Sequence, residues 1–193
     1  MLLTLLIPSP SHPEKYLYVY LRPLIDELKM LWNTGVETYD ASLSETFNMK
    51  AALLWTISDF PAYGMLSGWS THGKMSCPYC MENTKSFQLE HGRKPCFFDC
   101  HRQFLPHDHP YRRQRQVFRK NKTELANPLP RLSGEHILHR LSSLNDNEFE
   151  SFIPSQKFEG YGLTHNWTKI SIFWELSYWS KLINRHNLDV MNI

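Results

Sequence analysis

Three features of the sequence predict a mixed α/β fold carrying a cysteine- and histidine-rich insertion. Two continuous apolar runs, at residues 2–7 and 51–58, have the length and composition of buried strands. Between them, residues 16–32 place Leu17, Tyr20, Leu21, Leu24, Ile25, Leu28, Leu31 and Trp32 at helical spacing. Residues 71–110 then hold all four cysteines and five of the ten histidines with little periodicity, so a force other than an apolar core must fix them. The expected organisation is a core region at 1–70, a Cys/His-rich insertion with a basic stretch at 71–130, and a helical and aromatic continuation of the core at 131–193.

Each element has a local reason. The run at 2–7 is stopped by Pro8 and Pro10. In the helical segment, Asp26, Glu27 and Lys29 oppose the apolar face, Pro23 suits a first turn, and Gly35 suits a C-terminal cap. Residues 36–39 and 47–58 read as extended, with a turn over 40–45. Residues 51–58 are nearly all apolar, as in a central strand buried on both faces, although a short buried helix would give the same pattern. Asp59 closes this run, and Pro61 ends further ladder pairing. Residues 127–130 punctuate the chain. Ser133 then caps a helix whose apolar face is Ile137, Leu138, Leu141 and Leu144. Residues 170–188 read as a short aromatic strand and a helix over 179–183.

The chain of 193 residues is long enough for one domain with a core plus an insertion, and its 13% aromatic content argues against disorder. No run approaches the ~20 apolar residues of a membrane span. The apolar N-terminus lacks the basic lead and length of a signal peptide, so the expected setting is intracellular. There, cysteines serve as metal ligands or free thiols more readily than as disulfides. The net charge of +2 does not by itself announce a nucleic-acid binder. Its distribution says more, because Arg112, Arg113, Arg115, Arg119, Lys120 and Lys122 lie together with no acidic residue among them. That run is either a solvated face or a set of phosphate contacts.

Cys77-Pro-Tyr-Cys80 has the spacing that sets two thiolates of one tight turn on a single tetrahedral ion. The second ligand pair would come from Cys96, Cys100, His101, His107 and His109, with Cys100 and His101 favoured. Four unrelated thiols are the alternative, and a redox role lacks the usual strand–helix context. Asp59 is placed either to hold a catalytic metal at a strand end or simply to start a turn before Pro61. Trp167, Phe173, Trp174, Tyr178 and Trp179 read first as core and second as a base-stacking platform.

Several long phrases resemble the CACTA-type (En/Spm-like) plant DNA transposases: Leu-Thr-Leu-Leu-Ile-Pro at 3–8, Val-Tyr-Leu-Arg-Pro-Leu-Ile-Asp-Glu-Leu at 19–28 and Gly-Val-Glu-Thr-Tyr-Asp-Ala-Ser at 35–42. The likeness continues through residues 51–71, Cys-Pro-Tyr-Cys-Met-Glu-Asn-Thr at 77–84, Phe-Asp-Cys-His-Arg-Gln-Phe-Leu-Pro at 98–106 and Arg-His-Asn-Leu-Asp-Val-Met at 185–191. The resemblance implies a partial ribonuclease H-like core with a zinc-binding insertion. It further implies a triad of acidic residues that uses Mg²⁺ to cut and join DNA in the nucleus. Asp59 then corresponds to the second acidic residue, and the family's Asp-X-X-His element falls at Asp189–Asn192, with Asn in place of His. The first acidic residue is expected upstream of Met1 and the last beyond Ile193, so this chain is expected to be an internal fragment, inactive alone. Expected partners are DNA at transposon ends and another copy or transposase subunit. The alternatives are a non-catalytic zinc-containing module that binds DNA or protein, and the product of a decayed transposon-derived gene.

Overall fold

The computed structural model of the chain describes residues 16–97, 102–116, 123–144 and 158–189. The strand expected at 2–7 and the pair Cys100 and His101 lie outside the described residues, as do Arg119, Lys120, Lys122 and Asn192.

Helix α1 spans Leu17–Asn33 and buries Tyr18, Leu21, Ile25 and Leu28, one stripe at the expected spacing. It begins a turn and a half before Pro23, which the sequence had suited to its first turn. Pro23 lies on the exposed side, where water can satisfy the carbonyl left without an N–H partner. The Thr34 and Gly35 N–H groups both donate to the Met30 carbonyl, at 2.8 and 3.0 Å. Gly35 has φ +79°, and a Cβ there would lie 2.1 Å from Asn48 Oδ1, so only glycine fits.

Strands β1 (Val36–Asp40) and β2 (Glu45–Met49) form an antiparallel hairpin in the register Val36↔Met49 to Asp40↔Glu45. Its turn is held by Asp40 Oδ1, which accepts from the Ser42 and Leu43 N–H groups. Strand β3 (Thr56–Ser58) is much shorter than the central strand expected over 51–58, and it is not buried on both faces. Ile57 is 64% exposed, and among the described residues β3 pairs on one side only, parallel to β6 (His186–Leu188). The cause is upstream. Ala52 and Leu53 pack on the α1 core and the Leu53 N–H donates to the Tyr178 hydroxyl at 3.0 Å, so residues 51–55 run extended without a ladder.

Helix α2 (Phe60–Ser67) follows β3 directly and ends on Gly68 in the left-handed region. Strands β4 (Ser86–Gln88) and β5 (Pro95–Phe97) make a small hairpin inside the Cys/His-rich segment. Helix α3 (Gly134–Ser142) starts where expected, with Ser133 Oγ accepting from the His136 N–H at 3.2 Å. The helix and strand expected over 170–188 are instead two 3₁₀ turns, Ile172–Glu175 and Trp179–Lys181, followed by β6.

Two apolar clusters hold these elements. One joins α1 to the two 3₁₀ turns through Ile25, Ile172, Phe173, Leu176 and Trp179. Glu175 locks this junction from outside: Arg22 donates to both carboxylate oxygens at 2.7 Å, and Lys29 joins them. The other joins Trp69, Met75 and Met81 to Ile137, Leu141 and Trp167, with the Trp69 and Trp167 rings edge to face at 4.9 Å. Within residues 70–81, Met75 and Met81 are therefore packed into this cluster, while His72, Gly73, Lys74 and Tyr79 stay exposed. Asn166 Nδ2 holds this segment by donating to the carbonyls of Ser70, His72 and Met75. Trp167, Phe173, Tyr178 and Trp179 are buried here, which is the core reading of the aromatic cluster.

Candidate functional site

The parallel strand pair sets Asp59 and Asp189 at neighbouring backbone positions. Asp59 follows β3 and caps α2: its Oδ1 accepts from the Ala62 N–H at 2.8 Å, and Pro61 occupies the first turn. Asp189 follows β6, and its N–H donates to the Ser58 carbonyl at 2.9 Å. Since Ser58 pairs with Leu188, Asp59 and Asp189 emerge side by side from the C-terminal ends of neighbouring parallel strands. Open α/β sheets place their ligands at this end. The Asp59 side chain is exposed, with one oxygen engaged by the helix end. The resemblance marked Asp59 for this role and left that of Asp189 open, because Asn192 stands where the family has His; nothing in the sequence sets Asp189, 130 positions away, beside Asp59.

At the other end of the strands, Thr56 pairs with His186, and Thr56 Oγ1 lies 2.7 Å from His186 Nδ1. The imidazole is packed against Tyr63, Phe173 and Trp179, at centroid distances of 5.6, 5.7 and 5.4 Å. Burial first, and then the Arg185 charge, pull its pKa down to about 3, so the ring is neutral at ordinary pH.

The two thiols of the Cys77–Cys80 turn also face each other. The Cys80 N–H donates to Cys77 Sγ at 3.3 Å, and the Met81 N–H closes the turn on the Cys77 carbonyl at 2.8 Å. The Cys80 side chain holds the Cys77 thiol below its ordinary range, and the same bond together with burial pushes Cys80 up. This places a thiolate on Cys77 with a backbone donor already aimed at it, the arrangement a metal knuckle needs. Among the described residues no group of three or more His, Cys, Asp or Glu side chains converges, and Cys77 and Cys80 stand as a pair. His107 Nε2 lies 2.9 Å from Asn127 Oδ1, and His109 Nδ1 accepts from the Tyr111 N–H, so both serve local structure.

The basic stretch divides. Arg112 is 1% exposed, and its guanidinium donates to the carbonyls of Leu105, Gln103, Ala126 and Glu124. It is a staple between loops rather than a phosphate contact. Arg113 and Arg115 are exposed and keep the charge the sequence assigned to this run.

A family model described as transposase family tnp2 matches residues 1–144, well over half of the chain. The chain belongs to this transposase family. The match contains Asp59, Cys77, Cys80 and the basic stretch, while β6 with Asp189 lies beyond it. No curated protein and no solved structure matches the chain. No helix among the described residues of this transposase-family chain is long and apolar enough to cross a membrane.

Proposed function

We propose that the chain is the central part of the catalytic region of a CACTA-type (En/Spm-like) plant DNA transposase. In this reading it acts on DNA in the nucleus through a ribonuclease H-like arrangement. The observation that carries the reading is the meeting of Asp59 and Asp189 at the ends of adjacent parallel strands, within a chain of a transposase family. Asp59 is exposed and Asp189 partly buried there, and two carboxylates at that position would fit a hard divalent cation, which takes oxygen ligands. Asp59 and Asp189 would share the ion, with the α2 N-terminus fixing one Asp59 oxygen so that the other can turn towards the metal. When bound, Mg²⁺ supplies an activated water and stabilises the leaving oxygen of a phosphodiester. Cys77 and Cys80 would supply half of a structural zinc site, and Cys100 with His101 would supply the other half. Arg113 and Arg115, with Arg119, Lys120 and Lys122, would contact phosphates.

Mn²⁺ titration followed by electron paramagnetic resonance tests the carboxylate pair. Asn can still cap α2, so Asp59→Asn removes charge without removing the helix start. Wild type should bind the ion several-fold more tightly than Asp59→Asn or Asp189→Asn. Equal Mn²⁺ affinity in all three proteins would sink the assignment. DNA affinity measured against salt tests the phosphate contacts, since neutralised phosphates release counterions and give a steep slope.

A further inference from the structure

A cavity of about 160 Å³ is lined by Tyr63 and Ser67 of α2 and by His186 and Asn187 of β6, and neither Asp59 and Asp189 nor the basic stretch lines it. Tyr63, Tyr79 and Trp174 contribute its aromatic walls, and Arg131, Arg185 and His186 contribute its polar rim. We propose that this cavity takes the base of one nucleotide of a DNA strand among its aromatic rings, with that nucleotide's phosphate outside it on Arg131 and Arg185. The proposal rests on the DNA-acting reading above and gives that reading a second contact site.

Charge points to an anion. Among the described residues, two guanidiniums line the cavity and no carboxylate does. Arg131 Nη2 donates to Asn184 Oδ1 at 2.6 Å and Arg185 Nη1 to the Leu182 carbonyl at 2.6 Å, both neutral acceptors. Four other cations of the fold do have a carboxylate: Arg22 and Lys29 have Glu175, Arg140 has Glu82, and Lys85 has Glu124. Burial and the nearby Arg131 charge both pull the Arg185 pKa down, so the pair is electrostatically unfavourable as it stands. His186 stays neutral and adds no charge of its own. A phosphodiester matches the forked guanidinium donors and relieves the repulsion.

Shape points to a base. The cavity is smaller than the ~300 Å³ at which drug-sized ligands begin, and suits one flat ring system rather than a whole nucleotide. Arg185 already lies over the Trp174 ring, 5.7 Å from its centroid, so the cationic and aromatic parts are contiguous. Tyr79 is 54% exposed at the mouth and is steadied by an edge-to-face contact with Phe104 at 5.3 Å. An acidic peptide would use the guanidiniums but has no need of a ring-sized aromatic cavity. Bases stack on such rings whatever their sequence.

Fluorescence anisotropy with a labelled single-stranded oligonucleotide tests this on the full chain, using Tyr79→Ala, Arg131→Gln and the control Arg113→Gln/Arg115→Gln. Tyr79 and Arg131 are exposed, so neither substitution threatens folding. Tyr79→Ala should weaken binding about tenfold with an unchanged salt slope. Arg131→Gln should weaken it and lower the log–log salt slope by about 0.7. If wild type binds and both variants match it, the cavity proposal is overturned and the DNA reading stands. If wild type binds no DNA, the DNA reading fails, and tryptophan quenching by deoxyadenosine monophosphate decides the cavity by itself. Saturable quenching that Tyr79→Ala and Arg131→Gln weaken, and that inorganic phosphate does not reproduce, supports the cavity. No quenching, or equal effects of phosphate alone, overturns it.

Discussion

Arg112 separates a structural cation from a DNA-binding one, and Arg112→Met tests the difference. Met replaces the apolar stem of the side chain, stops short of the guanidinium and removes every donor. In the fold, Nε donates to the Leu105 carbonyl at 2.9 Å, Nη1 to Ala126 at 2.7 Å and Glu124 at 3.4 Å, and Nη2 to Gln103 at 2.6 Å. The Arg112 carbonyl in turn accepts from the Glu124 N–H at 2.9 Å, so one residue ties together the loops at 103–105 and 124–126. Buried carbonyls left without donors cost about 1–3 kcal/mol each, but these share one guanidinium and do not add. Removal of one partner from a buried charged network costs about 3–5 kcal/mol. The expected loss is about 3–4 kcal/mol, a large part of the ~5–15 kcal/mol that holds a domain together. With a urea m-value of about 2 kcal/mol/M, the midpoint should fall by roughly 1.5–2 M. Arg112→Lys should also fall well below wild type, because an ammonium cannot reach four divergent carbonyls. The folded fraction of each variant should keep the wild-type salt slope for DNA. An Arg112→Met protein of wild-type stability with a salt slope reduced by about 0.9 would refute the staple and restore the phosphate contact.

His186 predicts a pH dependence. Its folded pKa of about 3 lies below the ordinary 6.5, so the unfolded chain takes up the proton first. The stability it contributes is complete above pH 6.5 and is lost as pH falls towards 3, at up to about 1.4 kcal/mol per unit. Urea midpoints at pH 7 and pH 5 should differ by about 2 kcal/mol in wild type and by much less in His186→Gln; an identical pH slope in the variant would remove the assignment. Gly68→Ala should lower the thermal midpoint steeply, since φ is +80° and a Cβ would lie 2.1 Å from the Lys169 carbonyl oxygen. A cost of about 3 kcal/mol corresponds to a fall of roughly 6–12 °C in a chain of this size, readable by calorimetry. Zinc content by mass spectrometry should be about one ion per chain, lost in Cys77→Ser/Cys80→Ser together with protection of residues 71–110 from proteolysis.

Local chemistry was legible in the sequence wherever one residue decides one conformation. Gly35 after the stripe of α1, Asp40 before its turn, Ser133 before α3 and Asp59 at a strand end all act within a few residues of themselves. What the sequence did not disclose depends on distant partners. Residues 51–55 have strand composition, but their backbone is diverted to Tyr178, more than 120 positions away. Arg112 reads as one of six like charges, and only the carbonyls of two other segments make it a core residue. Arg131 carries no motif and Arg185 only opens a matched phrase, because their meaning comes from lining one cavity that has no carboxylate among the described residues.

The same strand pair organises both chemistries. Running β3 and β6 in parallel sends Asp59 and Asp189 to one end and leaves Thr56 and His186 at the other, beside the cavity. The cavity wall includes Pro78 and Tyr79, the two residues between the paired thiols. A metal on Cys77 and Cys80 would therefore fix the position of Tyr79, so that zinc there would act on the proposed cavity without touching its ligand. Removing zinc with a chelator should then weaken the Tyr79-dependent part of oligonucleotide binding and leave the Mn²⁺ affinity of the Asp59–Asp189 pair unchanged. A parallel loss of both would mean that the knuckle supports the whole fold, not the cavity wall alone.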